Sequence, residues 1–469
     1  MPLPTPHNPR LDTWCIAAAA AVAALLAPGV AAQSPQSRPA MSQDQLVELA
    51  RDVEKEVAEI RGWKFKHPVK TEVRDEAQLR QFIEKRFFEE ELGGGKLERL
   101  EAMLRMVGLI PAKCDLKKTF VDVLLNQIGG FYDPDTKMFY MLQRAGVDYG
   151  PLLNRTLIAH ELTHALDDQY LDLDKLMKSR EQTEDWGMTI GAVVEGSATE
   201  LMTRYMMLAQ KSGKYDSSDM GRVLNDEMVR SQSFIESPPY FSRLLASYVC
   251  GMFFVHRGDP LGIADEAGEK TVGENLRAIA KNPPLSTEQI LHPEKYWNAK
   301  LRDLPVVVDD ESTKPLWNDV PLRVIHSDTL GEMSCHLLAS PADQTLNLFA
   351  AALPNYWTSD AAAGWGGDRF YLLADGSDGD KSGTQRATHG IWITLWDTKA
   401  DRDEFIESYE AERPVASRRS VVFGDCGVAF LFGFDAPLAN KIAAALRESP
   451  PRFTCDGKPW TLKAPPETR

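Results

Sequence analysis

Apolar residues recur every three to four positions over residues 42–60, 75–90 and 96–106, which is the spacing of amphipathic helices. A short β-rich run at 68–73 separates the first two, and Gly93-Gly94-Gly95 breaks the chain before the third. Residues 127–132 and 137–142 are rich in aromatic and aliphatic side chains. They flank Asp133-Pro134-Asp135-Thr136, turn chemistry that predicts a hairpin. Residues 154–170 contain neither Pro nor Gly. At about 100° per residue, Ile158, Leu162, Ala165 and Leu166 share one arc, so a helix with one buried face is expected there. Residues 200–300 read as mainly helical as far as Pro283 and Pro284. A Pro- and Asp-rich stretch at 303–321 precedes a change of pattern. Strands are expected at 370–373, 391–396, 421–423 and 428–434, helices at 401–412 and 436–447, and a glycine-rich turn at 364–368. The fold class this predicts is α+β. A mainly helical domain with a small sheet, residues 41–302, is followed by a small α+β domain, residues 322–450. No internal repeat interrupts the pattern.

The N-terminus adds a compartment. Arg10 precedes an uncharged, alanine-rich run from Cys15 to Leu26, and Val30-Ala31-Ala32 offers small residues for cleavage before Gln33. Residues 1–32 therefore read as a secretory signal peptide, and a periplasmic or secreted protein is expected. The apolar run is short and interrupted by Pro28 and Gly29, which disfavours a membrane anchor. No later segment is long and apolar enough to span a bilayer. Residues 33–40 form a Ser/Pro/Gln linker expected to be disordered. The net charge is −15. Losing Arg10 and Asp12 together leaves it unchanged, and such an acidic chain is a poor ligand for nucleic acid. Cys114, Cys250, Cys335, Cys426 and Cys455 remain. An oxidising compartment permits disulfides, and one bridge is plausible among the last three, but the odd number leaves at least one thiol over.

Candidate chemistry centres on His160-Glu161-Leu162-Thr163-His164. On a helix, positions i and i+4 share a face, so two imidazoles at this spacing can grip one Zn2+, and the intervening Glu161 can act on a water as general base. Catalytic zinc takes three protein ligands. The chain after His164 reads A-L-D-D-Q-Y, which lacks the third histidine of a metzincin. Glu195 is the only charged residue between Trp186 and Thr199, and a lone carboxylate in so apolar a helix calls for a cation. It is the favoured third ligand, with Gly191, Ala192, Ala198 and Thr199 on its face to allow close approach of the motif helix. Glu200 is the rival and points about 140° away.

His160, Glu161 and His164, with Glu195 on a second helix, resemble the gluzincin pattern of thermolysin-like zinc peptidases. The stretches G-F-Y-D-P-D-T (130–136), V-V-E-G-S-A-T (193–199), L-S-T-E-Q-I-L-H-P-E-K-Y (285–296) and G-W-G-G-D-R-F (364–370) are similar to a family of poorly characterised bacterial metallopeptidases. The resemblance implies a zincin-like catalytic domain and zinc-dependent cleavage of a polypeptide substrate, with Glu161 as base. It also implies a downstream His or Tyr that donates to the transition-state oxyanion; His292, Tyr240 and Tyr248 are the candidates. The hairpin upstream of the motif helix is the candidate strand for binding extended substrate. One departure is Thr199, which stands where the pattern has an Asp that orients a ligand His. The alternatives are a zinc-stabilised binding or scaffold protein without turnover, and hydrolysis of a non-peptide amide.

Overall fold

The structure is a computed structural model. It describes residues 41–143, 150–215, 233–259, 268–317, 322–375, 388–415 and 418–460, with positions 219, 221 and 262. The expected signal peptide and linker lie outside the described residues.

The first helix, α1 (Gln43–Arg61), starts where Ser42 and Gln45 cap each other reciprocally and stops at Gly62, whose φ of 69° suits a residue without a side chain. Strand β1 (Lys70–Asp75) leads into α2 (Glu76–Ile83), which continues as a wider helical turn to Glu91. Helices α3 (Lys96–Val107) and α4 (Leu116–Gln127) follow. The sequence pattern did not reveal α4. The expected hairpin is present as β2 (Gly130–Asp133) and β3 (Met138–Gln143), paired antiparallel. β1 adds to it in parallel register, giving the order β1-β3-β2 and leaving β2 at one edge.

The motif helix α5 (Gly150–Leu171) is buried nearly all round, not on one face. It runs through the middle of the helical layer, so its polar arc is enclosed by neighbours. After the short α6 (Leu173–Met177) comes α7 (Glu184–Ser212), capped by the Thr183 hydroxyl, which accepts from Trp186 N, and ended by Gly213. α8 (Pro239–Val255) crosses α7 closely. An added Cβ on Gly196 would collide with Gly251, and one on Gly251 with the Ala192 carbonyl. The small residues of α7 thus serve α8 at Gly196, whereas Gly191 is pressed by nothing. α9 (Gly268–Lys281) and α10 (Thr287–Leu291) complete this part.

The C-terminal part is a five-stranded antiparallel sheet, order β5-β6-β7-β9-β8: β5 (Leu322–Asp328), β6 (Trp365–Asp375), β7 (His389–Trp396), β8 (Arg418–Phe423) and β9 (Gly427–Phe432). Helices α11 (Gly331–Ala339), α12 (Lys399–Glu412) and α13 (Ala436–Glu448) pack on it. A second small sheet joins β4 (Val307–Val308) to β10 (Phe453–Cys455) and β11 (Lys458–Trp460). β5 was not anticipated. Of the glycine-rich run 364–368, Gly364 alone lies in a turn and Trp365 to Asp368 begin β6. An added Cβ at Gly367 would strike the Val306 carbonyl, and Val306 N donates to the Gly366 carbonyl at 2.7 Å. Glycine is needed there for backbone approach.

One continuous apolar core joins the two parts, running from Leu79, Phe88 and Phe120 through Phe241 to Trp392, Phe405 and Phe430. Each such fully buried side chain contributes about 1.5–3 kcal/mol. The boundary expected between residues 302 and 322 is therefore a change of secondary structure and not a gap in the core. All five described cysteines are free thiols, so the bridge expected in the C-terminal third is not formed. Cys426 and Cys455 instead point at the carbonyls of Asp397 and Leu304. Among the described residues no helix is long and apolar enough to cross a membrane.

Candidate metal centre

α5 and α7 pack side by side, which brings the expected ligands together. His160 Nε2 lies 3.0 Å from His164 Nε2 and 3.2 Å from Glu195 Oε2, and His164 Nε2 lies 3.6 Å from the same oxygen. A tetrahedral ion with Zn–N distances of about 2.0–2.1 Å holds its ligand atoms about 3.3 Å apart. The three separations bracket that value, so this donor set can hold a divalent ion. Exposure is 0 % for His160, 2 % for Glu161, 3 % for His164 and 1 % for Glu195. Glu195 Oε1 and the Nδ1 atoms of both histidines are buried without a hydrogen-bond partner among the described residues. Buried polar atoms are rarely left so, and all three belong to the side chains whose other nitrogen or oxygen atoms converge.

The electrostatics agree. Burial pushes the Glu195 carboxyl up, but His164 and His160 outweigh it and hold it down at about 2. Burial holds His160 down to about 4, which keeps its imidazole neutral and able to ligate. His164 is displaced upward: burial lowers it, but Glu195 and Glu161 win. Burial raises Glu161 to about 8, with Glu195 adding and His164 and the Tyr132 N–H opposing. A bound cation would favour the charged carboxylates.

Neighbouring residues fix the frame. Tyr132 N on β2 donates to Glu161 Oε2 at 2.8 Å, so the hairpin's outer edge faces the candidate base. Asp168 accepts from the Tyr132 hydroxyl at 2.6 Å and from Lys137 Nζ at 2.7 Å, tying the hairpin to α5. Asp167 accepts from the Ser197 hydroxyl at 2.5 Å, and Arg61 Nη2 donates to that same hydroxyl at 2.7 Å, which locks α1, α5 and α7 together. Thr199 supplies no orientation to either histidine; its buried hydroxyl has no partner among the described residues. Sequence reasoning missed Asp167 and Asp168. The available signal was two carboxylates one turn beyond His164 on a helix rich in apolar residues. The Tyr132 contact is made by backbone and leaves no mark in the sequence.

The other candidates go elsewhere. Glu200 turns away to Arg204 Nε at 2.5 Å and His256 Nε2 at 3.3 Å. His292 Nε2 sits 2.9 Å from Glu332 Oε1 and 3.5 Å from the Thr358 hydroxyl, so its partners lie in the C-terminal part and not in the trio. The Tyr240 hydroxyl donates to Glu184 Oε2 at 2.9 Å, in a buried cluster with Arg243. Tyr248 alone stands beside the site, its ring centroid 6.2 Å from that of His160.

Residues 321–425 match the family described as a domain of unknown function (DUF8575). The match covers β5 to β8, α11 and α12 and leaves the His160–His164–Glu195 trio outside it. No curated protein and no solved structure matches the chain.

Proposed function

We propose that the chain is a zinc-dependent endopeptidase of the gluzincin kind, with His160, His164 and Glu195 holding the ion. The observation that carries this reading is the buried convergence of two Nε2 atoms and one carboxylate oxygen within 3.0–3.6 Å, beside a further carboxylate, Glu161, that is not part of the trio. Structural zinc sites are normally closed by four protein ligands, whereas three leave a position for chemistry. Bound zinc supplies a Lewis acid that polarises a carbonyl and makes water acidic near neutrality. With the ion bound, Glu161 would serve as the base that accepts a proton from water and returns it to the leaving amine. The Tyr132 N–H fixes one of its oxygens and leaves the other for the transfer. Tyr248, not His292, takes the role of donor to the developing oxyanion, on the strength of its place beside His160. The outer edge of β2 supports a polypeptide lying along the hairpin. A periplasmic or secreted location rests on residues 1–32 alone.

The near-complete burial of the trio is what a zinc-stabilised scaffold would also display. Metal analysis with a casein-cleavage assay, with and without chelator, separates the readings. One zinc per chain and chelator-sensitive cleavage are expected. Zinc without cleavage would favour the scaffold, and absence of zinc from protein purified without chelator would remove the basis of both.

A further inference from the structure

We infer that Gly191 forms the seat for the substrate side chain next to the cleaved bond, and that its missing side chain sets the size of residue accepted. The inference rests on the zinc-peptidase reading and deepens it. Three residues of α7, each one turn apart, carry the argument. Between Thr183 and Met206, Gly187 is the one residue that is not buried. Four positions on, Gly191 is buried, yet a Cβ built on it would meet no atom within 4 Å. Four positions further, Glu195 carries a buried oxygen, Oε1, with no hydrogen-bond partner among the described residues. Residues at i and i+4 are stacked on one face, and helical side chains lean toward the N-terminus. The Glu195 carboxylate therefore lies over the turn of Gly191, and the open space at Gly191 adjoins the trio. Solvent touches this helix one turn further out, at Gly187.

A buried glycine beside empty space is unusual, because interiors are close-packed. Gly196, on the same helix, shows the ordinary use of glycine: it lets the α8 backbone approach. Gly191 has no such neighbour, so its missing side chain makes room and not contact. The residues of α7 from Trp186 to Val194 carry no charge. A charged side chain seated there would find no partner on this helix, so the seat suits a bulky uncharged one.

The test uses the full chain loaded with zinc and two hydroxamates that bind zinc through the same head group. Acetohydroxamate has no side arm; 3-phenylpropionohydroxamate carries an aromatic arm. Binding is measured by calorimetry to the wild type, Gly191→Ala and Gly191→Leu. Both replacements favour the helix over glycine, so folding and zinc content should persist. Acetohydroxamate should bind all three within roughly 3-fold. The aromatic hydroxamate should lose at least ~10-fold on Gly191→Leu and much less on Gly191→Ala, the scale expected when a pocket is filled. Equal affinities of the aromatic probe for wild type and Gly191→Leu would overturn the inference while leaving the zinc reading intact, as would parallel loss of both probes. A wild type that holds no zinc or binds neither probe would overturn the zinc-peptidase reading itself, and the seat with it.

Discussion

Among the described residues two groups of side chains are arranged as if to hold a cation, and they differ in whether a lysine sits among them. The first is His160, His164 and Glu195. The second is Glu288, Asp303 and Asp397, whose oxygens lie within 4.8 Å of one another. In the second, Lys295 Nζ sits 2.6 Å from Glu288, 3.5 Å from Asp303 and 3.7 Å from Asp397, with the Ala363 carbonyl at 3.5 Å. Burial works against the ammonium, but Glu288 and the two aspartates hold its pKa above the usual lysine range. Among the described residues no lysine or arginine pairs with the first group. Its carboxylate faces two imidazoles, and three of its buried polar atoms are unpartnered. The same count of ligand-type residues thus means opposite things. The Lys295 cluster staples α10 to the end of β7, while the histidine group is the one for which we propose an ion from outside.

The sharpest way to break this contrast is to remove the trio's carboxylate. Glu195→Ala should strip zinc and abolish cleavage, because two imidazoles alone are a poor site. Glu200→Ala, five residues on and about 140° round the helix, bound to Arg204, should keep its zinc. Metal analysis of both proteins decides it; loss of zinc from Glu200→Ala with retention in Glu195→Ala would assign the wrong carboxylate. Next in size is Glu161→Gln. It leaves the ligands untouched, so zinc should stay, while cleavage falls at least ~10²-fold by loss of the general base. Near-normal turnover by the zinc-loaded variant would sink the proposed mechanism.

Tyr248→Phe tests the remaining group. If its phenol donates to the oxyanion, kcat should fall by roughly 10²-fold with KM little changed, since that bond strengthens in the transition state. His292→Ala should leave kcat in place, because its ring is engaged with Glu332. The reverse outcome would restore the role that the sequence resemblance implied for His292.

How much of this was legible in the sequence follows from how local each feature is. His160, Glu161 and His164 sit within one helical turn, so spacing alone placed them together. Glu195 was found because it is a single charge in an apolar stretch. The hairpin announced itself through D-P-D-T, and its two strands are shifted by at most a few residues. Helix α4 was missed because apolar residues spread round it: Leu116, Phe120, Val121, Val123, Leu124 and Leu125 are all buried, which erases the one-sided pattern. β5 was missed because its burial does not alternate; Leu322 to Ser327 are only partly buried or exposed. The pairing of β1 with β3, the Lys295 cluster and the Glu161–Tyr132 bond join residues far apart in the chain, and no local pattern encodes them. The partners of His292 were out of reach for the same reason, since Glu332 and Thr358 lie 40 and 66 positions away.

The second group can be turned into something like the first. Lys295→Met leaves Glu288 buried without its ammonium. Breaking a buried pair costs about 3–5 kcal/mol, but Asp303 and Asp397 are about two-fifths exposed, so a loss of about 2 kcal/mol in urea unfolding is expected. Millimolar calcium should then raise the Tm of Lys295→Met and not that of the wild type, because three carboxylates and a carbonyl are hard oxygen ligands. Zinc content should be unaffected. Equal calcium responses in both proteins would mean that the ammonium is not what fills the cluster.

A third answer to a buried carboxylate is to take up a proton, and Asp185 gives it. It opens α7, ten residues before Glu195, and accepts from Thr287 N at 2.9 Å and the Thr287 hydroxyl at 2.6 Å. Burial pushes its carboxyl up to about 7 against those bonds, and the nearby carboxylates of Asp368 and Glu332 push the same way. Neither a lysine nor two imidazoles face it. The sign follows from proton counting. Between pH ~4 and ~7 the folded protein holds a proton here that the unfolded chain has lost, so this group's contribution to stability is greatest below ~4 and declines as pH rises through ~7. Asp185→Asn keeps an oxygen for Thr287 and cannot ionise. The stability of the wild type relative to Asp185→Asn should therefore fall by roughly 1–3 kcal/mol from pH 5 to pH 8, read from urea unfolding at the two values. Parallel pH profiles for the two proteins would show that Asp185 does not ionise over this range. A rise in the relative stability of the wild type would mean that an unseen cation, and not a proton, meets this carboxylate.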